Sequence, residues 1–371
     1  MLTQAPSRKS IGSCHWRNAI SRGLGIDIGQ RQTKVVSVEC LRGEAIKVCA
    51  ATIPTIPTTA QETAGSSIPH WSSLALKQLA HRTSDLLGGA FNGRGARIAV
   101  TLSMSVCDYR TIYVPADART RPAIIQESIA SATGDLRPRC IALLPNGQAS
   151  SDEANATLRC FSLPEELSWS VAQAFDEVGL TPHAINGLPW CLTNAVELIS
   201  HECDPAAFNL VIDWSYGPPT LVAARGGDID YVRCLSHGSL EELTTQPGTD
   251  YHMNFSEAQH WIGACLASPT SADALSAMAD TSDWVHERCG LLAEEINTAI
   301  EYLRWRHQSA APPVVWMMGG ATLLPGLQRS LQSHLNCQIK PWTWSVGNSQ
   351  LTAEYATAAA LAFQELRRAQ R

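Results

Sequence analysis

The first hundred residues show an alternation of apolar strands and turns. Gly25–Gly29 ends one apolar strand, and the β-branched stretch Thr33–Val38 predicts a second strand that returns from it. Ala45–Ile53 continues the pattern as a third strand. The leucines of Ser72–Leu87 recur with a helical period, and Arg97–Leu102 predicts a further strand. The order is strands first, then a helix, then a strand again.

A second opening of the same kind lies near the middle of the chain. Asn209–Asp213 is an apolar strand that ends in aspartate, and strands at Thr220–Ala224 and Tyr231–Leu235 follow it. The repeat has the size of a domain, so it predicts two duplicated α/β domains rather than a solenoid.

An additional module interrupts the first repeat. Val106–Val114 alternates as a strand does, Arg121–Thr133 has the pattern of a helix, and two more strands are predicted at Arg139–Leu144 and Ala156–Phe161. We therefore predict a small α+β module inserted at 103–162. The main helices outside it are predicted at Pro164–Val178, Trp190–Ser200, Ser256–Leu266, Thr281–Arg306, Leu327–Leu335 and Ala353–Arg368.

These elements predict a division of the chain into two lobes. The predicted parts are a disordered basic tail at 1–23, a first lobe core at 24–102 and 163–205, the inserted module at 103–162, a second lobe core at 206–240 and 313–371, and a helical subdomain of the second lobe at 241–312.

Composition limits the classes of function. The chain has 371 residues and a formal net charge of −6, so it carries no global charge that would favour nucleic acid. No run approaches the roughly 20 apolar residues of a membrane-spanning helix. The 12 cysteines form no C-x-x-C pair, which favours buried, reduced thiols. Metal binding at Cys14–His15 or at His201–Cys203 is the less favoured interpretation.

One candidate site is the hairpin that begins at Asp27. A glycine after a strand, here Gly29, leaves backbone N–H groups that can face a phosphate, and a carboxylate can hold Mg²⁺ through its waters. Gln30 lies in the turn, and Lys34 follows where it can neutralise phosphate charge. An ordinary hairpin with Asp and Gly as turn formers is the alternative interpretation.

Two further motifs belong to the second lobe. Asp213 and Ser215 stand where the second repeat places its first turn, so we expect Asp27 and Asp213 to hold Mg²⁺ through water if it binds. Gly319, Gly320 and Ala321 end an apolar strand, and glycines there let a base and ribose approach the backbone closely. Plain strand–helix packing is the alternative for this motif.

These motifs, in this order, resemble the actin-like ATPase superfamily and, more narrowly, the PilM family of type IV pilus assembly proteins. The stretches that carry the resemblance are Gly25–Gly29 with Lys34–Val36, Tyr109–Pro115, Gly179–Ile185 and Val315–Leu327. The resemblance implies an actin-like two-lobed fold with duplicated ribonuclease-H-like domains, ATP and Mg²⁺ held between the lobes, and binding to the cytoplasmic tail of a PilN-like inner-membrane protein. It further implies a cytoplasmic scaffold of a pilus or secretion machine, peripheral to the inner membrane through its partner, with self-association left open.

Three features depart from the family pattern. Asn186 replaces an acidic residue, the helix that contains Glu257 lacks the usual lysine, and Trp214 and Ser215 stand at the second phosphate turn. We therefore expect weakened ATP binding and at most a degenerate ATPase, with no catalytic residue assigned.

Two other functions stay open at this point. A sugar-type kinase of the same superfamily would need a general base, and Asn186 stands where a carboxylate would serve. A filament protein similar to FtsA would need an amphipathic membrane helix, for which Ala358–Arg371 is a short candidate. Trp342 and Trp344 are expected to pack over the second lobe core rather than to bind a partner.

Overall fold

The structure is a computed structural model that describes residues 19–41, 46–55, 71–88, 96–115, 122–144, 155–199, 208–225, 227–267, 275–308, 314–347 and 349–370. Residues 1–18 of the predicted basic tail lie outside the described residues. Its last five residues, Ala19–Gly23, belong to the first strand, so the prediction of disorder is wrong there.

The chain forms two compact units. One contains the described residues up to Cys191 together with those from Leu361 onward, and the other is Leu192–Ala360. The boundaries therefore differ from the predicted ones at the last helix and at the residues after Cys191. The last helix belongs to the first unit from Leu361 onward, where it packs directly on a strand of that unit. A methyl group on Gly23 would lie 1.8 Å from the carbonyl oxygen of Ala362.

The first unit is built on a five-stranded sheet with the order β3-β2-β1-β4-β8. Its elements, in chain order and with the inserted module included, are β1 (Ala19–Ile28), β2 (Gln32–Leu41), β3 (Ile46–Pro54), α1 (Ser73–Leu87), β4 (Ala96–Leu102), β5 (Asp108–Pro115), α2 (Pro122–Thr133), β6 (Arg139–Leu144), β7 (Asn155–Pro164), α3 (Glu165–Asp176), β8 (Ala184–Asn186) and α4 (Leu188–Leu198). Strands β1, β2 and β3 are antiparallel neighbours, whereas β1, β4 and β8 run parallel.

The inserted module has its own sheet and its own small core. The sheet has the order β5-β7-β6, and both pairings are antiparallel. Ile112 and Val114 of β5 pack with Ile125 and Ile129 of α2. The predicted α+β module is thus present, with its elements close to their predicted positions.

The second unit repeats the topology of the first. Its elements are β9 (Asn209–Asp213), β10 (Thr220–Arg225), β11 (Asp228–Cys234), α5 (Leu240–Asp250), α6 (Phe255–Ala267), α7 (Leu275–His307), β12 (Val314–Met318), α8 (Leu327–Gln332), β13 (Ile339–Pro341), β14 (Thr343–Val346), β15 (Ser349–Thr352) and α9 (Ala356–Ala369), of which α9 continues into the first unit. The sheet order β11-β10-β9-β12-β13 corresponds strand by strand to β3-β2-β1-β4-β8. The predicted duplication of α/β domains is confirmed.

Two tryptophans near the end of this unit are buried, but neither belongs to the main hydrophobic core of the unit, over which they were expected to pack. Trp342 is fully buried, and its indole N–H donates to the carbonyl oxygen of Ala195 at 2.7 Å. Trp344 is also buried. Among the described residues, no helix is both long enough and apolar enough to cross a membrane.

Candidate functional site

The predicted site residues fall into two groups, one in each unit, and each group is described by itself. In the first unit, Asp27, Gly29, Gln30 and Lys34 lie at the carboxyl end of β1 and at the start of β2. In the second unit, Asp213, Ser215, Gly319, Gly320 and Ala321 lie at the carboxyl ends of β9 and β12.

A row of polar side chains crosses the sheet of the first unit. Lys34 pairs with Asp27, Asp27 pairs with Thr101, and Thr101 pairs with Asn186. Because directly paired residues share a face of the sheet, these four side chains lie on one side of it. The Thr101 hydroxyl donates to the carbonyl oxygen of Asn186 at 2.8 Å. The structure thus adds Thr101 to the site, a residue that the sequence does not single out.

The turn after Asp27 is tight, and Lys34 lies beside it. The Gly29 N–H donates to the carbonyl oxygen of Gln32 at 3.2 Å. A methyl group on Gly29 would lie 2.6 Å from that oxygen and 3.7 Å from Lys34 Nζ. Lys34 is only 6% exposed, so its ammonium group is held near the turn and contributes a fixed positive charge there.

Gln30 does not simply project into solvent. Its amide nitrogen donates to Ser105 Oγ at 3.1 Å, and Ser105 Oγ donates to Ser103 Oγ at 3.1 Å. The hairpin is thereby tied to the turn that leads from β4 into the inserted module. Sequence spacing gives no signal for this contact, because the two residues lie 75 positions apart.

Two buried polar atoms of the same region have no hydrogen-bond partner within the described part of the chain. They are the side-chain oxygen Oε1 of Gln30, an acceptor, and the side-chain nitrogen Nδ2 of Asn186, a donor. A buried polar atom costs free energy until it finds a partner, so both atoms favour a polar ligand or water.

Cys191 interacts with this row, and residues of the row shift the pKa of the Cys191 thiol. Burial raises the pKa of the Cys191 thiol, a hydrogen bond with Thr101 lowers it, and the negative charge of Asp27 raises it. The thiol therefore stays protonated at neutral pH and packs as a small apolar group, with Ala99 and Leu361.

In the second unit, the two predicted motifs meet. Met318 pairs with Asp213 across β12 and β9, and the Ala321 N–H donates to the carbonyl oxygen of Trp214 at 2.9 Å. Ser215 Oγ donates to Asp213 Oδ1 at 2.8 Å. A methyl group on Gly319 would lie 2.6 Å from Asp213 Oδ1, so only glycine lets the strand end approach this carboxylate so closely.

Trp214 has a structural role at this turn. Its side chain is fully buried in the core of the second unit, and its indole N–H donates to the carbonyl oxygen of Gly238. The ring therefore lies in the core rather than at the exposed surface of the turn. Gly320, one residue after Gly319, has open space around it, because a methyl group there would meet nothing nearer than Leu240 Cδ1 at 3.9 Å.

Glu257 of α6 is engaged in local structure. The Asn254 N–H donates to Glu257 Oε2 at 2.8 Å, and the Glu257 N–H donates to Asn254 Oδ1 at 3.1 Å. This reciprocal pair is a capping box, which stabilises the start of the helix. The Glu257 carboxylate therefore serves as part of a helix cap.

A cavity of about 590 Å³ lies in the first unit, between the inserted module and α3. Sequence reasoning does not find it, because its walls come from segments that are distant in the chain. It is lined by Trp71, Met104, Ser105, Val106, Cys107, Asp108, Thr133, Gly134, Asp135, Arg137, Arg139, Pro164, Glu166, Leu167 and Ser170. We call it the insert groove.

A buried arginine organises one wall of the insert groove. The Arg139 side chain is 3% exposed, and its Nη2 donates to Asp108 Oδ2 at 2.6 Å. Its Nη1 donates to Asp135 Oδ2 at 3.1 Å, and its Nε donates to Ser162 Oγ at 2.9 Å. Hydrogen bonds from Arg137 lower the pKa of Asp135 to about 2. The wall is therefore fixed and charged at neutral pH.

No group of three or more His, Cys, Asp or Glu side chains suited to a metal ion occurs in the described ranges. The sequence motifs Cys14–His15 and His201–Cys203 lie outside those ranges.

Comparison with known proteins rests on structure. No family model matches the sequence, and no curated protein matches it. A solved PilM–PilN type IV pilus biogenesis complex matches with a TM-score of 0.68 and 21% identity, over 93% of this chain and 98% of that one. The chain has the actin-like fold of PilM. The sequence-based resemblance to PilM is thereby confirmed for the fold.

Two other solved structures match more weakly. The ethanolamine utilization protein EutJ from Carboxydothermus hydrogenoformans has a TM-score of 0.49 at 10% identity, over 92% of this chain and 88% of that one. The activator of the 2-hydroxyisocaproyl-CoA dehydratase from Clostridium difficile, with bound ADPNP, has a TM-score of 0.46 at 13% identity, over 94% of this chain and 96% of that one.

Proposed function

We propose that this protein is a cytoplasmic scaffold of a type IV pilus or related secretion machine, and that it binds the cytoplasmic tail of a PilN-like inner-membrane protein. The observation that carries the proposal is the likeness to PilM over nearly the whole of both chains. The inserted module, which the sequence resemblance includes, forms one wall of the insert groove.

The insert groove is the docking surface that we propose for the tail. Its volume suits several residues of an extended peptide, and it combines apolar side chains, Trp71, Met104 and Leu167, with the charged wall around Arg139. Two large apolar side chains that neighbour lining residues in the sequence are exposed, Leu136 at 89% and Trp169 at 67%. Exposed apolar side chains are typical of surfaces where a protein partner binds.

ATP with Mg²⁺ is the cofactor that we propose for the polar row and the two turns. Asp27 in the first unit and Asp213 in the second are each proposed to contact Mg²⁺ through water, Lys34 would face phosphate charge, and Gly320 leaves space for a flat ring. The orphaned atoms of Gln30 and Asn186 suit such a polar ligand. When bound, the nucleotide would supply charge and ordering to the scaffold, whose role does not require rapid hydrolysis.

Peptide titration tests the docking part of the proposal. A synthetic peptide with the sequence of the PilN-like tail from the same organism should bind the wild-type protein and lose at least tenfold in affinity (~1.4 kcal/mol) with Ser170→Trp, which fills the insert groove. Gln173→Trp is the matched control, because Gln173 lies exposed on the same helix and does not line the groove. Equal affinities for the two variants would rule out the groove, and no binding to the wild type would refute the scaffold proposal.

Calorimetric titration of ATP with Mg²⁺ tests the cofactor part. The wild type should release heat that Asp27→Ala abolishes or greatly reduces. Equal heats for the two proteins would mean that Asp27 does not support nucleotide binding. Robust ATP-dependent phosphorylation of any member of a sugar panel would instead favour a kinase.

A further inference from the structure

Gln30 lies between the hairpin that contains Asp27 and the insert groove, both of which belong to the first unit. Its backbone belongs to the phosphate-facing turn, and its side-chain nitrogen donates to Ser105 Oγ at 3.1 Å. Ser105 itself lines the insert groove. A single side chain therefore connects the turn next to Asp27 with the wall of the cavity proposed for the partner's tail.

The segment that receives this hydrogen bond is a compact turn. Ser105 N donates to Ser103 Oγ at 3.3 Å, and the Val106 N–H donates to the carbonyl oxygen of Ser103 at 3.1 Å. The side chains of Met104, Val106 and Cys107 are all buried. A displacement of Ser105 must therefore move the neighbouring residues that form the groove wall, because the turn is packed and cannot absorb it locally.

The same segment continues into the charged wall of the groove. Asp108 follows the turn directly, and its carboxylate accepts from the buried Arg139, which also donates to Asp135. The path from Gln30 to Asp135 thus consists of hydrogen bonds and one short stretch of chain. All of its members lie in the first unit.

The oxygen of the Gln30 side-chain amide lacks a hydrogen bond. Its Oε1 is buried and has no hydrogen-bond partner among the described residues. That oxygen accepts but cannot donate, so a phosphate oxygen cannot satisfy it, whereas a water or hydroxyl group can. Water coordinated to a metal ion is such a donor, and Asp27 in the same hairpin is the carboxylate proposed to hold Mg²⁺ through water.

We propose that Gln30 couples Mg²⁺–nucleotide binding at the hairpin to the order of the insert groove. A donor that arrives with the nucleotide satisfies Oε1 and fixes the amide, which strengthens the hydrogen bond from Nε2 to Ser105 and holds the turn at 103–108. Binding at the hairpin thereby stabilises the groove in the form that accepts the tail. This inference rests on the nucleotide binding proposed above.

Hydrogen exchange measured by mass spectrometry tests the coupling. ATP with Mg²⁺ should slow exchange in peptides covering 103–108 of the wild type by about fivefold, the effect of strengthening one hydrogen bond. Gln30→Ala and Ser105→Ala should each remove this slowing, and the double variant should behave like either single one, because all three lack the same bond. Gln32→Ala is the matched control and should keep the wild-type response.

The outcomes distinguish a failure of the coupling from a failure of nucleotide binding. If ATP with Mg²⁺ slows exchange at 27–34 but leaves 103–108 unchanged, or if Gln30→Ala keeps the response at 103–108, the coupling is refuted and nucleotide binding stands. If the wild type shows neither heat nor slowed exchange with ATP and Mg²⁺, both the coupling and the cofactor proposal fail. In that case the peptide titration with Ser170→Trp still decides the docking proposal.

Discussion

Gly319 and Gly320 are adjacent, but they should respond oppositely to the same substitution. Gly319 has φ 91° and ψ 178°, a backbone conformation that is essentially restricted to glycine and costs other residues about 1–3 kcal/mol. A methyl group there would lie 2.6 Å from both Asp213 Oδ1 and the carbonyl oxygen of Trp214. Forcing an atom into such a packed place costs roughly a further 1–3 kcal/mol. We therefore expect Gly319→Ala to destabilise the second unit by about 4 kcal/mol.

Gly320→Ala is the matched control for this prediction. Gly320 is not among the glycines with positive φ, and its nearest neighbour would be 3.9 Å from the added methyl group. A glycine-to-alanine change at such a site alters the free energy of unfolding by less than about 1 kcal/mol, and often stabilises the protein. The two variants differ in sequence by the position of one methyl group.

Calorimetry and hydrogen exchange together measure the difference. A domain of this size loses about 2–4 °C in Tm for each kcal/mol, so the transition of the second unit should fall by about 8–16 °C in Gly319→Ala and by less than about 3 °C in Gly320→Ala. Exchange in β9 and β12 assigns the transition to that unit. Equal shifts for the two variants would refute the assignment of strain to Gly319. ATP affinity is a second readout. Gly320→Ala should weaken ATP binding, because its methyl group enters the space proposed for the flat ring, and it should leave stability intact.

Three further predictions concern the first unit and the buried thiols. Arg139→Met should destabilise the inserted module by about 2 kcal/mol, because two carboxylates lose their buried partner. The control Arg110→Met, at an exposed arginine, should change the stability of the module by less than about 0.5 kcal/mol. Urea unfolding of the two variants measures the difference. Asp135 has a pKa lowered to about 2, chiefly by its hydrogen bond with Arg137, so its stabilising effect should be complete above its ordinary pKa of 3.8 and decline as the pH falls towards 2; NMR titration of the carboxyl checks this. Burial raises the pKa of Cys289 to about 12, so that thiol should resist iodoacetamide at pH 8 while exposed cysteines are alkylated, as peptide mapping would show.

Much of the fold follows from local patterns in the sequence. The apolar strands of both repeats lie where the pattern places them, because a buried strand needs a continuous apolar run with a β-branched bias. Helix α5 lies in the predicted helical subdomain but was not among the individual helices predicted, and it contains Pro247 and Gly248, which are poor helix formers. The structure keeps it because Ser239 accepts from the Glu242 N–H at 3.0 Å and caps its start. The S-x-x-E spacing was the available signal.

Other elements depend on contacts that no local pattern contains. Strand β8 has three residues and depends on the parallel edge that β4 offers it, so its own sequence is too short to predict a strand. The last helix joins the first unit through its close approach to Gly23, which lies more than 300 positions earlier in the chain. The same holds for the candidate site. The grouping of Asp27, Gly29 and Lys34 within one hairpin is local and could be predicted, whereas the link between Gln30 and Ser105 could not.

Strands β1 and β9 occupy corresponding positions in the two sheets, but the residues paired with Asp27 and with Asp213 differ in charge. Lys34 faces Asp27 across β1 and β2, and the corresponding partner of Asp213 across β9 and β10 is Thr220. Only the first pair places a buried cation beside its carboxylate, while Asp213 instead accepts a hydrogen bond from Ser215. Neutralisation of phosphate charge should therefore depend on the first unit. Lys34→Met should weaken ATP binding strongly and Thr220→Val should not, and similar losses in both variants would contradict this asymmetry.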